Sequence, residues 1–514
     1  MGIEAVPVTV EVEISRGIGI HLSGLADVAV KESLLRTTTA LQSLGFHIPG
    51  KRIVINLAPA DMHKVGTGYD LPIAVGIIAA SGQTALPEAE KYMIMGELGL
   101  DGSIRNVRGA LPYAELARDT GLKGMILPYE SALEAVELGG ITIYGVRSFV
   151  DVTRILSGTA ACDDLLVSKD SAGVLLQSPK TGEVPDFSEI IGQEGAKRAI
   201  EIAASGGHNV ILVGSPASGK SSLAKAMSGI LPPMTDEEAL VTSKIYSIAG
   251  KGASRFGLIR TRPFRSPHYS TSIAALIGGG GGDGINPGEV SLAQNGVLFL
   301  DEIGQMSRSG IEALRGPLED RKVTISRLRA KVEYPSSFMF MAASNPCPCG
   351  YWGEGDRCVC TPTQRQNYLS RLSGPIMDRI DIQAICRGVR PEEIRKGRAS
   401  GKGAESSSAV ALRVKAARKI QKERFRGEDI YTNAEMNNRL IEKYCPLSAE
   451  CEQTMLKLME KMGLSMRAYF RIIKVSRTIA DLEGCADIMP HHLLEAAGYR
   501  FLDRNREVQE NVHR

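Results

Sequence analysis

The sequence of 514 residues is 43% hydrophobic and 23% charged, an ordinary globular composition, and at roughly 100–200 residues a domain it is long enough for two to four domains. It has no signal-like start and no run of roughly 18 apolar residues, so we expect a cytoplasmic protein that does not bind a membrane. The formal net charge of +3 is too close to zero to imply a polyanionic partner by itself.

The first section, residues 1–160, has the pattern of a mixed α/β domain. It opens with a half-buried strand, in which apolar residues alternate with others at Val6, Val8, Val10, Val12 and Ile14. Further strand patterns cover residues 53–57, 93–98 and 124–127, and helical patterns cover residues 71–80 and 110–120. Residues 161–185 are mostly polar and small, which predicts a linker.

The second section, residues 186–386, begins with a nucleotide-binding pattern. A helix and the apolar strand Val210–Val213 precede the sequence GSPASGKS, which a further helix follows. The glycines of such a loop let backbone N–H groups point at phosphate oxygens, while the lysine reaches the β and γ phosphates and the following serine binds Mg²⁺. The predicted contacts to ATP come from Gly214, Ser215, Pro216, Ala217, Ser218, Gly219, Lys220, Ser221 and Ser222.

Acidic and amide side chains follow two further apolar strands of this section. Val297–Leu300 precedes Asp301 and Glu302, and a strand over residues 338–342 leads to Asn345. Ligands of doubly wound parallel sheets bind at the carboxyl ends of the strands. We therefore expect Asp301 to hold Mg²⁺, Glu302 to polarise the attacking water, and Asn345 to contact that water or the γ phosphate. A helix cap and a turn residue are the alternative roles of these side chains.

A basic segment lies between the phosphate loop and the acidic pair. No acidic residue occurs from Ala239 to Gly282, and a solvated surface is the alternative to a DNA contact there. The predicted DNA-binding residues are Lys244, Lys251, Arg255, Arg260, Arg262 and Arg265.

Four cysteines follow Asn345 in an insert at residues 346–361. Cys347, Cys349, Cys358 and Cys360 can close a tetrahedral zinc site, with free buried thiols and redox chemistry as the alternatives. The third section, residues 387–514, has helical patterns and a basic start. Its last clear helical pattern carries one apolar stripe, which consists of Ala468, Ile472, Val475, Ile479 and Leu482.

Several longer motifs are spread over nearly the whole sequence, namely GLADVAVKES, GYDLPIA, PGEVSLAQNGVLFLDEI, SNPCPCGYWG, YLSRLSGPIMDRIDI and SMRAYFRIIKVSRTIADL. With these motifs the sequence resembles the ComM and YifB family of bacterial magnesium-chelatase-like AAA+ proteins. The resemblance implies a central P-loop AAA+ domain with a doubly wound parallel sheet, a C-terminal helical lid, and a hexameric ring with ATP between subunits. For the activity, it implies an ATP-driven branch-migration helicase that acts on DNA during natural transformation.

The same resemblance assigns two arginines. In SGPIMDRID it places an arginine finger at Arg379, which would reach the γ phosphate of a neighbouring subunit, and in SMRA it places a second sensor at Arg467. Such arginines stabilise the charge that develops on the transferred phosphoryl group. Surface salt bridges are the alternative role.

The first section resembles the Lon-type serine–lysine protease fold, notably in GELGLDGSIRNVRGALPYAELARDTGLKGMILP. The serine position falls near Gly68 and the lysine position near Leu111, and only Thr67 supplies a nearby hydroxyl. A hydroxyl nucleophile needs an adjacent base, so we expect no peptidase activity and a role in oligomerisation or in facing DNA.

Two functions remain open at this stage. The chain is either a DNA motor, with the basic segment and the glycine-rich loop at residues 278–284 in the channel of a ring, or a chelatase-like motor that remodels a protein partner. The phosphate backbone would dominate the affinity of the first and make it salt-sensitive.

Overall fold

The computed structural model describes residues 2–159, 161–169, 184–251, 258–280, 285–327, 330–353, 357–370, 374–388 and 405–503. Its elements form three consecutive regions: an α/β domain, a parallel-sheet domain and a helical region. Among the residues described, no helix is both long enough and apolar enough to cross a membrane.

The first region contains two small sheets and a hairpin. Its strands are β1 (Thr9–Ser15), β2 (Gly19–Ser23), β3 (Arg52–Ala58), β4 (Tyr92–Ile94), β5 (Glu97–Leu98), β6 (Ile104–Arg105), β7 (Gly124–Pro128) and β8 (Thr142–Val146). Its helices are α1 (Val28–Ser43), α2 (Asp70–Ser81), α3 (Ala110–Asp119), α4 (Tyr129–Ala135) and α5 (Phe149–Ser157). β3 pairs with β1 antiparallel and with β2 parallel, β4, β7 and β8 form a parallel sheet, and β5 and β6 form the hairpin.

Three boundaries in this region differ from those predicted. The first strand begins at Thr9, although the alternation starts at Val6. The run at 93–98 is split between two sheets around Gly96, where a Cβ would lie 2.9 Å from Leu71 Cδ2. Finally, Val167 is buried and its N–H donates to the carbonyl of Ile143, so the first domain extends beyond the predicted start of the linker.

The second region is built on a five-stranded parallel sheet of order β10-β13-β16-β9-β17. Its strands are β9 (Val210–Gly214), β10 (Phe264–Arg265), β13 (Val297–Leu300), β16 (Met339–Ser344) and β17 (Ile382–Cys386). Two hairpins flank it, β11 (Gly278–Gly279) with β12 (Asn286–Pro287) and β14 (Lys322–Arg327) with β15 (Ala330–Pro335). The helices are α6 (Glu194–Gly206), α7 (Lys220–Met227), α8 (Asp236–Ile248), α9 (Ile273–Ile277), α10 (Glu289–Leu292), α11 (Arg308–Ala313), α12 (Arg315–Asp320), α13 (Pro362–Leu369) and α14 (Gly374–Met377).

The third region is helical, as predicted. It consists of α15 (Ser407–Arg424), α16 (Asn438–Tyr444), α17 (Ala449–Met462), α18 (Met466–Glu483) and α19 (Pro490–Gly498). Ala468, Ile472 and Ile479 on the apolar stripe of α18 are buried in one core with α6, α15 and one face of the parallel sheet. Buried contacts join α18 to the amino end of β9, where Thr478 Oγ1 and His208 Nε2 lie 2.8 Å apart.

The first domain contacts the parallel-sheet domain along α8. Lys244 of α8 forms an ion pair with Glu115 of α3, and the N–H of Gly109 donates to the carbonyl of Ser247 at 3.3 Å. Glu134 of α4 is buried beside the same turn of α8. Burial raises the pKa of Glu134 to about 7, although the neighbouring Ser247 hydroxyl and the backbone N–H of Leu111 oppose the shift.

Candidate functional site

The phosphate loop, Gly214–Ser221, joins the buried strand β9 to helix α7 as predicted. Two of its positions require glycine. A Cβ at Gly214 would clash with the backbone carbonyl of Cys386 on β17, and Gly219 has a φ of +85°. Ala217 also lies in the left-handed region, at a φ of +60°, which is a strained conformation for a residue with a Cβ.

Lys220 begins α7 and turns back toward the loop. Its Nζ donates to the carbonyls of Gly214 at 2.8 Å and Ser215 at 2.7 Å, and it lies 3.3 Å from Asn345 Oδ1. Burial lowers the pKa of Lys220, against the opposing effect of Cys386 and the two acidic residues of the site. An ammonium group held among oxygen acceptors is suited to bind phosphate oxygens.

The acidic pair follows β13 and lies beside α7. Ser221 Oγ donates to Asp301 Oδ2 at 2.6 Å, and the N–H of Glu302 donates to Asp301 Oδ1 at 2.9 Å. A hydroxyl and a carboxylate at this distance fit the oxygen preference of Mg²⁺. Glu302 has a φ of +49°, so the residue predicted to polarise water holds a strained backbone conformation.

The carboxyl edge of the sheet thus collects most of the predicted nucleotide-binding residues. β9, β13 and β16 are adjacent and parallel, and they end at Gly214, Leu300 and Ser344. The residues that this edge brings together are Gly214, Ser215, Pro216, Ala217, Ser218, Gly219, Lys220, Ser221, Asp301, Glu302 and Asn345, with Ser222 exposed on the first turn of α7.

Arg379 and Arg467 lie at the opposite edge of the same sheet. Both line a cavity of about 420 Å³ at the amino ends of β9 and β17. Its basic residues are Arg315, Arg321, Arg379, Arg467, Arg471 and Lys474, and its acidic residues are Glu319, Asp378, Asp381 and Glu435. We call these residues the basic cavity.

The basic cavity and the phosphate loop of the same chain lie at opposite ends of the strands. Val210 pairs with Ile382, three residues after Arg379, whereas Gly214 pairs with Cys386. At about 3.3 Å per residue, β9 alone spans about 13 Å between these levels. Arg379 forms an ion pair with Glu319, and Arg467 forms one with Asp378 at 2.9 Å.

A buried network fixes the floor of the basic cavity. Asn209 Nδ2 donates to the carbonyl of Arg379 at 2.8 Å, and Asn209 Oδ1 accepts the N–H of Phe340. Arg471 donates to Asp381 at 2.6 Å. Burial would raise the pKa of Asp381, but Arg471 and His208 outweigh it and hold the pKa well below its usual range. The sequence shows the basic edge of α18, yet not the carboxylate that it meets.

The four cysteine sulfurs lie within 4.8 Å of one another. Cys347 Sγ is 3.3 Å from Cys349 Sγ and 3.8 Å from Cys358 Sγ. Sulfurs bound to one zinc at about 2.3 Å stand about 3.8 Å apart, so this arrangement is compatible with zinc. The N–H of Tyr351 lowers the pKa of Cys349 to about 6.

Only some of the predicted DNA-binding residues have side chains exposed for contact with DNA. Lys244 is buried against Glu115, which contradicts its prediction as a DNA contact. Arg262 and Arg265 donate to Glu238 and Glu289 and help to hold β10 against its neighbours. The side chains of Lys251 and Arg260 are 50% and 62% exposed, and Arg255 lies outside the described residues.

The Lon-like positions carry no serine–lysine pair. Gly68 lies in the short 3₁₀ turn before α2, and Leu111 is fully buried in α3. Thr67 Oγ1 donates to Glu97 Oε2 at 2.5 Å.

A second cluster of potential ligands, Glu483, Cys485 and His492, lies between α18 and α19. The N–H of Met489 donates to His492 Nδ1 at 2.9 Å, and His492 Nε2 lies 3.0 Å from Glu483 Oε2. Since Nδ1 accepts a hydrogen bond, the proton of the neutral ring sits on Nε2, which then has no lone pair for a metal. These contacts cap and join the two helices.

Three adjacent parallel strands end at one edge of the sheet, where they place a lysine, two carboxylates and an amide together. This arrangement, with the order of the strands, defines a P-loop nucleotide-binding domain of the AAA+ class. Models of the magnesium chelatase subunit ChlI match three parts of the chain: "Subunit ChlI of Mg-chelatase" at residues 10–131, "Magnesium chelatase, subunit ChlI" at 186–394, and "Magnesium chelatase, subunit ChlI C-terminal" at 404–500.

Curated relatives match over the full length. The chain is 41% identical over 505 residues to the uncharacterized protein YifB of Salmonella typhimurium, covering 98% of this chain and 96% of the relative. It is 40% identical over 513 residues to competence protein ComM of Haemophilus influenzae, covering 100% of this chain and 98% of the relative. An archaeal Lon protease of Halobacterium salinarum is 34% identical over 116 residues, 22% of this chain and 16% of the protease.

The chain belongs to the ComM and YifB family of magnesium-chelatase-like AAA+ proteins. This membership implies binding of ATP and Mg²⁺, for which the carboxyl edge of the sheet provides the lysine, hydroxyl and carboxylate groups. The similarity to the Lon protease is confined to a small part of the chain and leaves the protease-like fold of the first domain a prediction.

Proposed function

We propose that the chain hydrolyses ATP as a ring, in which each nucleotide lies between the carboxyl edge of one sheet and the basic cavity of the next subunit. The observation that carries this proposal is the placement of the two groups of residues at opposite edges of one sheet. Arg379 and Arg467 line the cavity at the amino ends of β9 and β17, about 13 Å along the strand from the end that carries the phosphate loop, so we assign them to the nucleotide of the neighbouring subunit. A ring that closes head to tail brings the two edges together, and the family resemblance makes six the expected number of subunits.

The proposed roles follow from the side-chain chemistry. Lys220 binds the β and γ phosphates, and Ser221 and Asp301 hold Mg²⁺, whose role is to neutralise phosphate charge. Glu302 polarises the attacking water, and Asn345 orients that water or the γ phosphate.

Arg379 and Arg467 of the neighbour stabilise charge on the transferred phosphoryl group. The present partners of the two arginines differ in exposure. The Arg467 side chain is 74% exposed in its pair with Asp378, and exposed ion pairs contribute about 0–1 kcal/mol. The Arg379 side chain is 13% exposed, so this arginine would have to exchange Glu319 for the phosphate of the neighbour.

We propose that DNA is the substrate on which this motor acts, and that the chain is a branch-migration helicase of homologous recombination in natural transformation. The proposal rests on the full-length similarity to a competence protein and on the exposed Lys251 and Arg260 of the basic segment. Contacts to the phosphate backbone carry no sequence information, so they suit a motor that must move along DNA of any sequence.

The second candidate is a motor that remodels a protein partner. The family models that match the chain are named for a magnesium chelatase subunit. The ion pairs of the buried Lys244 and of the partly buried Arg262 and Arg265 reduce the basic surface that remains for DNA. A protein substrate would make hydrolysis insensitive to nucleic acid.

We also propose that Cys347, Cys349, Cys358 and Cys360 bind one zinc ion. Desolvation and the neighbouring thiols raise the pKa of Cys360 to about 11, although the N–H of Cys349 opposes the shift. A bound cation would favour the thiolates that this crowding opposes.

ATP turnover measured with no DNA, with duplex, with single-stranded and with four-way DNA, each at two salt concentrations, tests the function. We expect the largest stimulation on branched DNA and a loss of stimulation at the higher salt concentration. Glu302→Gln, assayed in parallel, removes the contribution of contaminating ATPases. Equal turnover with and without every DNA would contradict the DNA motor and favour a protein substrate.

A further inference from the structure

The cysteine loop, which we define as residues 346–353 and 357–361, contacts the phosphate loop directly. It begins after Asn345, whose Oδ1 lies 3.3 Å from Lys220 Nζ. It then passes Pro216 at Gly350, where a Cβ would stand 2.6 Å from Pro216 Cδ and 2.8 Å from Pro216 Cγ. Only a residue without a side chain allows this approach.

The cysteines fix the position of Gly350. Cys347 is fully buried at the end of β16, and its carbonyl accepts the N–H of Gly350 at 3.0 Å. The N–H of Cys349 points to the sulfur of Cys360 at 3.4 Å, so the turn around Gly350 is joined to both halves of the cysteine loop. A metal ion that ties the four sulfurs would therefore hold Gly350 in place.

The phosphate loop needs such support from outside. Ala217 holds a left-handed conformation that costs about 1–2 kcal/mol for a residue with a Cβ, and it follows directly after Pro216. Strained conformations persist where the surrounding structure holds them. Gly350 packs against the proline ring that precedes the strained residue.

We propose that the metal-bound cysteine loop positions the phosphate loop for nucleotide binding. The zinc ion ties the four sulfurs, the sulfurs fix Gly350 against Pro216, and this contact keeps the loop amides and Lys220 in the geometry that receives phosphate. Nucleotide affinity then depends on zinc, although no cysteine touches the nucleotide. The inference rests on the proposed ATP and zinc sites and adds a dependence of the first on the second.

Two glycines of the cysteine loop provide a matched comparison. Gly350 has a φ of +86° and Gly353 a φ of +94°, so alanine introduces similar backbone strain at both positions. A Cβ at Gly353 meets nothing within 4 Å, whereas one at Gly350 meets Pro216. The variants Gly350→Ala and Gly353→Ala therefore differ in their contact with the phosphate loop.

The experiment measures zinc content, the melting temperature, the affinity for a fluorescent ATP analogue, and kcat and KM for ATP. We expect Gly350→Ala to keep about one zinc per chain and to lose about 10- to 100-fold in kcat/KM and in analogue affinity, because small displacements of a positioned site are costly. Gly353→Ala should keep the zinc content, nucleotide affinity and turnover of the unmodified chain. Equal nucleotide affinity of the two variants would overturn the proposal.

Metal removal provides the second measurement. A zinc-selective chelator, used in excess Mg²⁺, should lower the affinity for the analogue in proportion to the zinc lost, and added zinc should restore it. Analogue affinity that is independent of zinc content, or less than half an equivalent of zinc in protein purified without chelators, would overturn the inference. The analogue reports binding without turnover. A chain that binds but does not hydrolyse ATP would therefore contradict the proposed function, while the dependence of binding on zinc could still be measured.

Discussion

Glu302 and Lys220 are the two residues on which the proposed chemistry most depends, and both have unusual conformations or surroundings. Glu302 holds a left-handed backbone conformation, and Lys220 is buried among backbone carbonyls with a lowered pKa. Each of these arrangements costs free energy and serves no evident packing purpose. Strain and burial of this kind are typical of groups that are placed for function.

At the residue scale, we expect Glu302→Gln to bind ATP normally and to lose at least about 100-fold in turnover. The amide keeps the size of the side chain but cannot polarise the attacking water. Single-turnover hydrolysis and analogue binding measure the two effects separately. Glu312→Gln on α11 is a suitable control, and loss of binding rather than turnover in Glu302→Gln would contradict the assigned role.

The nucleotide-binding residues could be predicted from the sequence because the phosphate loop and the acidic pair are contiguous motifs that follow apolar strands. The basic cavity could be predicted only in part. Arg379 and Arg467 were assigned by resemblance, whereas the pairing of Arg471 with Asp381 joins residues from separate regions of the chain. Such a pair has no local pattern, because it exists only once α18 packs on the sheet.

At the scale of elements, the contact between the first domain and α8 contains a buried titratable group. Glu134 is buried there with a pKa of about 7, and its Oε1 has no hydrogen-bond partner within the described structure. A raised pKa means that the folded state favours the protonated acid. Its contribution to stability is fully present below the unfolded pKa of about 4.5 and is lost as the pH rises through about 7.

We therefore expect Glu134→Gln to stabilise the protein at pH 8, where the shift of pKa corresponds to about 3 kcal/mol, and to have a much smaller effect at pH 5. The difference in melting temperature between variant and unmodified chain, followed from pH 5 to pH 8, measures this. Glu137→Gln, at a partly exposed position just after α4, should show no such trend. A constant difference across this pH range for Glu134→Gln would disprove the buried, protonated state.

Elements with strong periodicity were predicted well, and the errors have physical causes. β3, β7, β9, α2, α3 and α18 have nearly the bounds that their apolar patterns indicated. The run at residues 93–98 misled because its two halves pair with different strands around Gly96. Lys244 misled because its partner, Glu115, comes from the first domain and is invisible to local charge patterns.

At the scale of the whole molecule, the sheet separates the two groups of residues that the proposed reaction needs. A lone chain then holds nucleotide without the arginines that stabilise the transition state. We expect ATP turnover per chain to rise with protein concentration until the ring has assembled and then to stay constant, in parallel with the mass measured by light scattering. Turnover that is constant while the mass changes would point to a complete site within one chain.

A mixing experiment with two inactive variants tests the shared site most directly. Lys220→Ala removes nucleotide binding but keeps Arg379, and Arg379→Ala keeps the phosphate loop but removes the arginine. In mixed rings, an intact phosphate loop from one variant meets an intact arginine from the other, so we expect activity to return when the two are combined. In a control, Lys220→Ala is mixed with Arg315→Ala instead of Arg379→Ala. Arg315 is another arginine of the basic cavity, so this mixture checks for a general effect of charge at this edge. Mixtures that assemble and bind ATP but remain as inactive as the separate variants would contradict a nucleotide site shared between subunits.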